Sequence, residues 1–174
     1  MCKAKVYIGI SGFSYSHWRG IFYPENLPST KRFEFYTNYF QTTEINSSFY
    51  RLPQEKTILN WYISSPDNFV FSLKAPKVIT HLKRFLEVEE EWNKFENRIK
   101  LLNEKLGPVL LQLPPSFKAD DENIKRLSER CIVLCLIHKL SPNIYLLYIQ
   151  ILIHQYKICS KAFFYRAALK RKKT

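Results

Sequence analysis

Residues Thr42–Arg51 read TTEINSSFYR, a run that places a carboxylate and a carboxamide two residues apart in a segment typical of a β-strand. Successive side chains of a strand point to opposite faces, so residues i and i+2 share a face. Glu44, Asn46 and Ser48 are therefore predicted to form one polar row. Because the row is followed at once by aromatic residues, the pattern predicts the end of a strand that opens onto a site.

The composition of the whole chain indicates one folded domain. The chain has 174 residues, of which 46% are hydrophobic and 16% aromatic, enough for a sizeable core and too apolar for disorder. Four cysteines show no CxxC spacing, and the first residues lead directly into a strand-like run with no secretory signal. We therefore expect reduced thiols and a cytoplasmic protein.

The basic charge is concentrated near the C-terminus. The net charge is +12, but residues 131–174 contain eight Lys or Arg and no Asp or Glu. Residues 1–130 thus keep 19 basic and 15 acidic side chains, a net charge of +4. The main body is only mildly basic, which weakens the argument from charge for a nucleic-acid partner.

Four strand–helix units are predicted along the first 130 residues. The predicted strands are Lys5–Ser11, Thr42–Ser48, Asn68–Lys74 and Val109–Leu113. The predicted helices are Lys31–Phe40, Glu55–Ile63, Leu86–Glu104 and a last one that begins over Asp120–Arg130. Short connections between alternating strands and helices imply a parallel sheet with right-handed crossovers, and so an α/β fold.

Four longer motifs lie on these units: IGISGFSYSHWRGIFYP, TTEINSSFYRLP, FSLKAPKVITHLKR and LGPVLLQLPPSF. In this order and spacing they resemble the domain-of-unknown-function 72 family, the YecE-like proteins, over roughly residues 4–130. The resemblance implies a TIM-type (β/α)8 barrel, of which this chain would supply the first four of eight units. The family has no settled activity, so the resemblance implies a fold and the location of a site.

Residues 131–174 differ from the sequence before them. They contain no acid, no glycine and three of the four cysteines. We interpret them as an atypical apolar and basic tail, out of frame or otherwise foreign, on a truncated barrel. The alternative is a membrane anchor, but the longest clean apolar run, Ile144–Ile153, is half of the ~20 residues that a spanning helix needs. Truncation would also leave two sheet edges open, which predicts self-association.

The candidate site follows from the predicted strand ends, since ligands of TIM barrels bind at the C-terminal ends of the strands. The residues at these strand ends are Ser11, Gly12, Glu44, Asn46, Lys74 and Gln112. The resemblance implies the same residues when the family's polar strand-end positions are transferred to this sequence. The candidate catalytic residues are Glu44, Lys74 and His81. The candidate ligand-binding residues are Ser11, Gly12, Trp18, Arg19, Asn46, Thr80 and Gln112.

Each charged candidate has a functional and a structural interpretation. Glu44 could act as a base and Lys74 as an anion-binding ammonium or a Schiff-base lysine, with Asn46 and Gln112 as neutral donors. Alternatively, Glu44 and Lys74 form an ion pair that only holds neighbouring strands in register. His81 is either an acid–base group or a structural hydrogen-bonding residue.

The first loop, around Trp18 and Arg19, offers a second class of function. It combines five rings, including His17, with a guanidinium, a set suited to stacking bases or sugars. Alternatively its aromatic residues pack as a lid. Glu44 is the one inward-facing carboxylate predicted on the four strands, so no metal site is predicted. The sequence does not identify a cofactor.

These observations leave three hypotheses about function. The leading one is an enzyme or binder of a small, polar or anionic, hydroxylated ligand that is inactive in its truncated form. The second is a nucleic-acid-binding protein that uses the aromatic and basic loop. The third is a non-functional gene remnant.

Overall fold

The computed structural model describes the backbone of residues 7–137 and the side chains of residues 7–129. Four strands form one parallel sheet in the order β1-β2-β3-β4. They are β1 (Ile10–Ser11), β2 (Thr42–Ile45), β3 (Val70–Lys74) and β4 (Leu106–Leu110). The predicted α/β class with a parallel sheet is thus confirmed.

Helical segments connect the strands and follow the last one. The α-helices are α1 (Arg32–Thr37), α2 (Ser47–Tyr50), α3 (Glu55–Ser64), α4 (Glu89–Ile99) and α5 (Asp121–Ile137). Shorter 3-10 turns lie at Ser16–Trp18, Ser29–Lys31 and Lys100–Lys105, and a π-helical turn lies at Val78–Leu82. Within residues 7–137, no helix is both long and apolar enough to cross a membrane.

The hydrophobic core lies between one face of the sheet and the helices. On β3, Phe71 and Leu73 are fully buried while Ser72 and Lys74 are half-buried, as the alternating pattern predicts. Phe33 of α1 stacks on Phe71, with 5.8 Å between the ring centroids. The large buried residues of α4 belong to the same cluster, so this face of the sheet is covered.

The opposite face of the sheet carries smaller and more polar side chains, and we call it the open face. Thr42 pairs with Val70, and Glu44 pairs with Ser72. Paired residues of neighbouring strands point to the same face of the sheet, so these four side chains lie on the open face. The open face consists of Ser11, Thr42, Glu44, Val70, Ser72, Lys74, Pro108 and Leu110, since Ser11 pairs with Glu44 and Leu110 with Lys74. Ser11 is exposed, Leu110 is buried and the others are half-buried, and none of them belongs to the core cluster.

The end of β2 differs from the predicted strand Thr42–Ser48. The chain becomes helical at Asn46, with φ −76° and ψ −30°, and α2 begins at the next residue. The prediction that Ser48 belongs to the polar row is therefore wrong. Ser48 is buried, and its hydroxyl oxygen lies 2.7 Å from the carbonyl oxygens of Ile45 and Lys74.

The outer strands also differ from their predicted bounds. β4 begins three residues before Val109 because Gly107 can lie against β3: a Cβ there would fall 2.3 Å from Cγ1 of Val70. Pro108 lacks an N–H group, which an edge strand tolerates. Of the predicted first strand, residues 7–9 are not part of the sheet, and residues 5 and 6 lie outside the described residues.

The predicted boundary at residue 130 falls within a helix, since α5 continues to Ile137. The remainder of the predicted apolar and basic tail, residues 138–174, lies outside the described residues.

Candidate functional site

The C-terminal ends of β1, β2 and β3 bring four polar side chains into one hydrogen-bonded chain. The hydroxyl of Ser11 donates to Oε1 of Glu44 at 2.6 Å and accepts a hydrogen bond from Nδ2 of Asn46. Nζ of Lys74 lies 3.5 Å from Oδ1 of Asn46. Three neighbouring strands thus join a carboxylate, a hydroxyl, a carboxamide and an ammonium at one edge of the sheet, which we call the strand-end cluster.

Glu44 and Lys74 do not contact each other directly. Among the residues whose side chains are described, no ion pair within 4.0 Å joins these two groups. The interpretation of a direct ion pair between β2 and β3 is therefore wrong. Their separation by Asn46 and Ser11 leaves oxygen atoms of Glu44 and N–H groups of Lys74 to interact with a ligand.

An aromatic ring links Lys74 to His81. Nζ of Lys74 lies 5.2 Å from the centroid of the Phe49 ring, a cation–π distance. On the same ring, His81 packs edge to face at 5.0 Å. The strand-end cluster therefore continues through Phe49, a residue of α2, to the histidine of the third loop.

The environment of His81 favours its neutral form. Burial lowers the pKa of His81, and the positive charges of Lys77 and Lys74 lower it further. Oγ1 of the fully buried Thr80 lies 2.9 Å from Nδ1 of His81 and fixes the ring. Both residues belong to the π-helical turn at Val78–Leu82, a rare geometry that is frequent at functional sites. Lys77 was missed as a candidate, although its position beside Pro76 at the strand end was a usable signal.

The first loop reaches the strand-end cluster through Tyr15. Its hydroxyl donates to the carbonyl oxygen of Ser11. Gly12 makes room for it: this residue has φ +85°, and a Cβ atom there would fall 2.9 Å from the Tyr15 oxygen. The backbone N–H of Gly12 donates to the carbonyl of Glu44 at 2.8 Å. Gly12 therefore serves the site through its backbone.

The other ring residues of this loop pack on one another and on the rings of α1 and the residues that follow it. The indole of Trp18 lies 4.8 Å from the ring of Tyr15 and 5.5 Å from that of Phe22, and it is half-buried. His17 and Arg19, on either side of it, are exposed. This arrangement agrees with the interpretation of the loop as a packed lid, while its exposed members face solvent.

Not every predicted site residue joins the cluster. Within residues 7–129, no hydrogen bond or ion pair connects Trp18, Arg19 or Gln112 to Glu44, Asn46 or Lys74. Gln112 is half-buried and lies beyond the end of β4. In the same part of the chain, no group of three His, Cys, Asp or Glu side chains is placed to hold a metal ion.

The fold and the site together define an α/β protein with a polar cluster at the carboxyl ends of parallel strands. Residues 7–140 match the family model described as "Protein of unknown function DUF72". The chain therefore belongs to this family, as the four sequence motifs predicted.

Curated relatives agree with this assignment. The chain is 30% identical over 128 residues to the UPF0759 protein YunF of Bacillus subtilis (strain 168), a match that covers 70% of this chain and 44% of that protein. It is 28% identical over 112 residues to the UPF0759 protein YecE of Escherichia coli (strain K12), covering 64% of this chain and 39% of that protein. The matches thus span less than half the length of these relatives.

Solved structures show the same fold. A DUF72 family protein of Thermotoga maritima superposes with a TM-score of 0.62 at 30% identity, covering 72% of this chain and 50% of that chain. One from Enterococcus faecalis superposes with a TM-score of 0.57 at 22% identity, covering 71% and 45%. The latter likeness bears on the fold alone.

Proposed function

We propose that the strand-end cluster binds a small anionic compound that carries hydroxyl groups. The observation that supports this proposal is the continuous chain of hydrogen bonds from Glu44 through Ser11 and Asn46 to Lys74. It gives one edge of the sheet a cationic end for the anionic group and an anionic end that accepts hydrogen bonds from hydroxyl groups.

Each residue has a defined part in this proposal. The ammonium of Lys74, supported by the positive charge of Lys77, binds the anionic group of the ligand. Glu44 accepts hydrogen bonds from ligand hydroxyls and is the candidate base. His81 is held neutral and so can accept a proton, while Thr80 orients its ring.

We further propose that the sheet is part of a TIM-type barrel and that the chain on its own binds without turnover. The extent of the matches supports this proposal, since they cover less than half of each curated relative, and the described strands would then form part of the barrel mouth. The cysteine pattern supports a cytoplasmic location, where thiols stay reduced.

The binding proposal is tested with a panel of ligands that share the required chemistry. Isothermal titration of the full chain with inorganic phosphate, sugar phosphates and hydroxy acids should identify at least one binder. Lys74→Ala should abolish that binding, because the variant lacks the ammonium that contacts the anion. Lys56→Ala, at an exposed lysine of α3, is the matched control and should bind as the wild type does. Equal binding by Lys74→Ala would contradict the assignment.

A second candidate function is nucleic-acid binding by the first loop. The exposed side chains of His17 and Arg19 beside the Trp18 ring support it. Phosphate contacts weaken steeply with salt, whereas a small-ligand pocket responds less. If this function holds, binding of a single-stranded oligonucleotide should fall steeply between low and moderate salt and should be lost in Trp18→Ala. Arg19→Ala removes only an exposed guanidinium, so it should weaken oligonucleotide binding and leave binding of the small anion intact.

A further inference from the structure

A cleft of about 320 Å³, which we call the loop cleft, lies beside the third loop, the segment that connects β3 to α4. Arg84 and Leu86 of this loop line one wall, and residues 116–126, which include the start of α5, line the other. The volume is at the lower end of the range of about 300–1,000 Å³ that is typical of small-molecule sites. No residue of the strand-end cluster is among those that line the loop cleft, so the two are separate candidate sites.

The acidic groups of the loop cleft have partners within the protein. The carboxylate of Asp120 accepts hydrogen bonds from the backbone and side-chain N–H groups of Asn123 at 2.9 and 3.0 Å. The carboxylate of Glu122 pairs with the guanidinium of Arg126, one turn further along α5. Because three basic and two acidic residues line the loop cleft, its net charge is +1.

Two cationic groups of the loop cleft have no such partner. Among the residues whose side chains are described, no hydrogen bond or ion pair involves the guanidinium of Arg84 or the ammonium of Lys118. They belong to the two different walls, since Arg84 lies in the third loop and Lys118 in the segment that follows β4. A guanidinium and an ammonium that share a cleft can donate to the oxygen atoms of one carboxylate or phosphate group.

The apolar part of the lining consists of Leu86 and Phe117. Leu86 is 49% exposed, and Phe117 is half-buried. The ring of Phe117 packs edge to face against the buried ring of Phe85, with 6.1 Å between the centroids. An exposed leucine beside a supported ring favours a ligand that carries an apolar group next to its anionic group.

The backbone of the third loop is held in an uncommon conformation. Arg84, Phe85 and Glu87 have φ angles of +50°, +64° and +44°, which residues other than glycine seldom adopt. The backbone N–H of Phe85 donates to the carbonyl of Ile79 at 3.0 Å, and Nζ of Lys83 donates to the carbonyl of Glu87 at 2.9 Å. Such conformations persist where the surrounding structure holds them, and they cluster at binding sites. The backbone that carries Arg84 is thus ordered before a ligand binds, which lowers the entropic cost of binding.

We propose that the loop cleft binds a small organic anion in which an apolar group lies next to a carboxylate or phosphate group. Arg84 and Lys118 donate to the anionic oxygen atoms, and the apolar group packs on Leu86 and Phe117. The ligand needs no hydroxyl groups, because the carboxylates of the loop cleft already have partners. This proposal does not rest on the strand-end cluster, whose ligand differs in that respect.

Nuclear magnetic resonance of the isotope-labelled full chain tests the proposal without any variant. Benzoate and phenyl phosphate are the probes, since each joins one ring to one anionic group. At least one of them should shift the amide signals of residues 84–86 and 116–118, and the tighter of the two distinguishes a carboxylate ligand from a phosphate ligand. No shift at these residues with either probe would overturn the proposal, and so would shifts confined to the strand-end cluster.

Two further compounds separate the contributions of charge and ring. Benzyl alcohol has the ring without the charge, and inorganic phosphate has the charge without the ring. Each should bind roughly tenfold more weakly than the tighter probe, since each lacks one of the two contacts. Binding of either compound as tightly as that probe would overturn the proposed ligand class.

Arg84→Gln and Lys118→Gln each remove one positive charge and keep most of the side chain. Each should raise the Kd of the tighter probe roughly tenfold, because a charge-assisted hydrogen bond is lost. Lys125→Gln, at an exposed lysine of α5 that does not line the loop cleft, is the matched control and should keep the wild-type Kd. Equal effects of all three changes would mean that the probe responds only to overall positive charge and would overturn the proposal.

The two candidate sites fail independently in this design. Lys74→Ala should leave the Kd of the tighter probe unchanged, although it should abolish binding at the strand-end cluster. Leu86→Ala should weaken binding of that probe more than binding of inorganic phosphate, because only the probe has a ring to pack on the leucine. A loss of probe binding in Lys74→Ala would assign the probe to the strand-end cluster and would overturn the proposal for the loop cleft.

Discussion

Nζ of Lys74 lies 3.5 Å from Oδ1 of Asn46, a long hydrogen bond that joins the ends of β3 and β2. An ammonium has three N–H donors, and the described contacts of the Lys74 ammonium are this bond and the ring of Phe49. Asn46 uses its other end to donate to the hydroxyl of Ser11. The carboxamide is thus a positioning group that holds the lysine beside the serine.

Asn46→Ala should weaken binding of the small anion while leaving the fold intact. The substitution removes the group that positions Lys74 and Ser11, and the loss of one such hydrogen bond corresponds to about 1 kcal/mol, or roughly a fivefold change in Kd. Titration calorimetry measures the change. Asn60→Ala, at an exposed position of α3, is the control and should have the wild-type Kd.

The histidine of the third loop predicts a pH dependence of stability. Burial and the charges of Lys77 and Lys74 hold the pKa of His81 below its ordinary value of 6.5. The folded state therefore resists protonation more than the unfolded chain does. The contribution of His81 to the free energy of unfolding is therefore complete above pH 6.5 and is lost as the pH falls through the lower pKa of the folded state. Urea unfolding measures this contribution. From about pH 8 to about pH 5.5, the free energy of unfolding should decrease more for the wild type than for His81→Gln.

The same environment can be tested one charge at a time. Lys77→Gln removes a positive charge near the imidazole, so it should raise the pKa of His81 as followed by nuclear magnetic resonance. Lys56→Gln, at an exposed lysine of α3 that is not among the charges lowering this pKa, should leave the pKa of His81 unchanged. A pKa that stays the same in Lys77→Gln would contradict the electrostatic part of the explanation.

The site could be predicted in part because its members lie at strand ends, where parallel topology brings side chains together. Ser11, Glu44, Asn46 and Lys74 meet for this reason. The role of Phe49 could not be predicted, because it depends on the helical turn that replaces the end of the predicted strand. That turn is held by a contact distant in sequence, from the hydroxyl of Ser48 to the carbonyl of Lys74.

The fold was predictable where the hydrophobic pattern was strict. In β3 every second residue is large and apolar, so the sequence predicts which side chains lie on the buried face of the strand and which lie on the other face. The start of β4 was missed because Gly107 and Pro108 usually break structure. Here the glycine is needed for close approach to the neighbouring strand, which local sequence does not reveal.

Gly107→Ala should therefore destabilise the protein. The added Cβ would fall 2.3 Å from Cγ1 of Val70 and 3.0 Å from the carbonyl oxygen of Phe71. Overpacking of this kind costs about 1–3 kcal/mol, measurable as a lower midpoint of urea unfolding. Val70→Ala removes one of the two clashing atoms, so in the double variant Gly107→Ala should cost less than it does alone. Strict additivity of the two changes would contradict this account.

A buried lysine connects the end of α3 to the start of β4. Nζ of Lys105 donates to the carbonyl oxygens of Tyr62 and Ser65 at 2.7 and 2.8 Å and lies 3.0 Å from Oγ of Ser65. Lys105→Met keeps the apolar stem but removes the donor shared by these acceptors, of which the Tyr62 carbonyl keeps a second described donor, the hydroxyl of Ser65; the change should cost about 2–3 kcal/mol in the free energy of unfolding. Lys100→Met removes an exposed lysine paired with Glu96 at 2.5 Å and should cost less than about 1 kcal/mol. Equal effects of the two changes would contradict the role assigned to Lys105.

The hydroxyl of Tyr15 couples the first loop to the site. It donates to the carbonyl of Ser11, and its ring packs against that of Trp18 at 4.8 Å between centroids. Tyr15→Phe keeps the ring packing and removes the hydrogen bond, so the loop should remain folded but hold β1 less firmly. We expect faster hydrogen exchange at residues 11–14 and weaker binding of the small anion, because Ser11 loses a constraint on its position. Tyr50→Phe, at a tyrosine that is 80% exposed, should change neither measurement. Tyr15→Phe with wild-type exchange and affinity would mean that the loop and the strand-end cluster act independently.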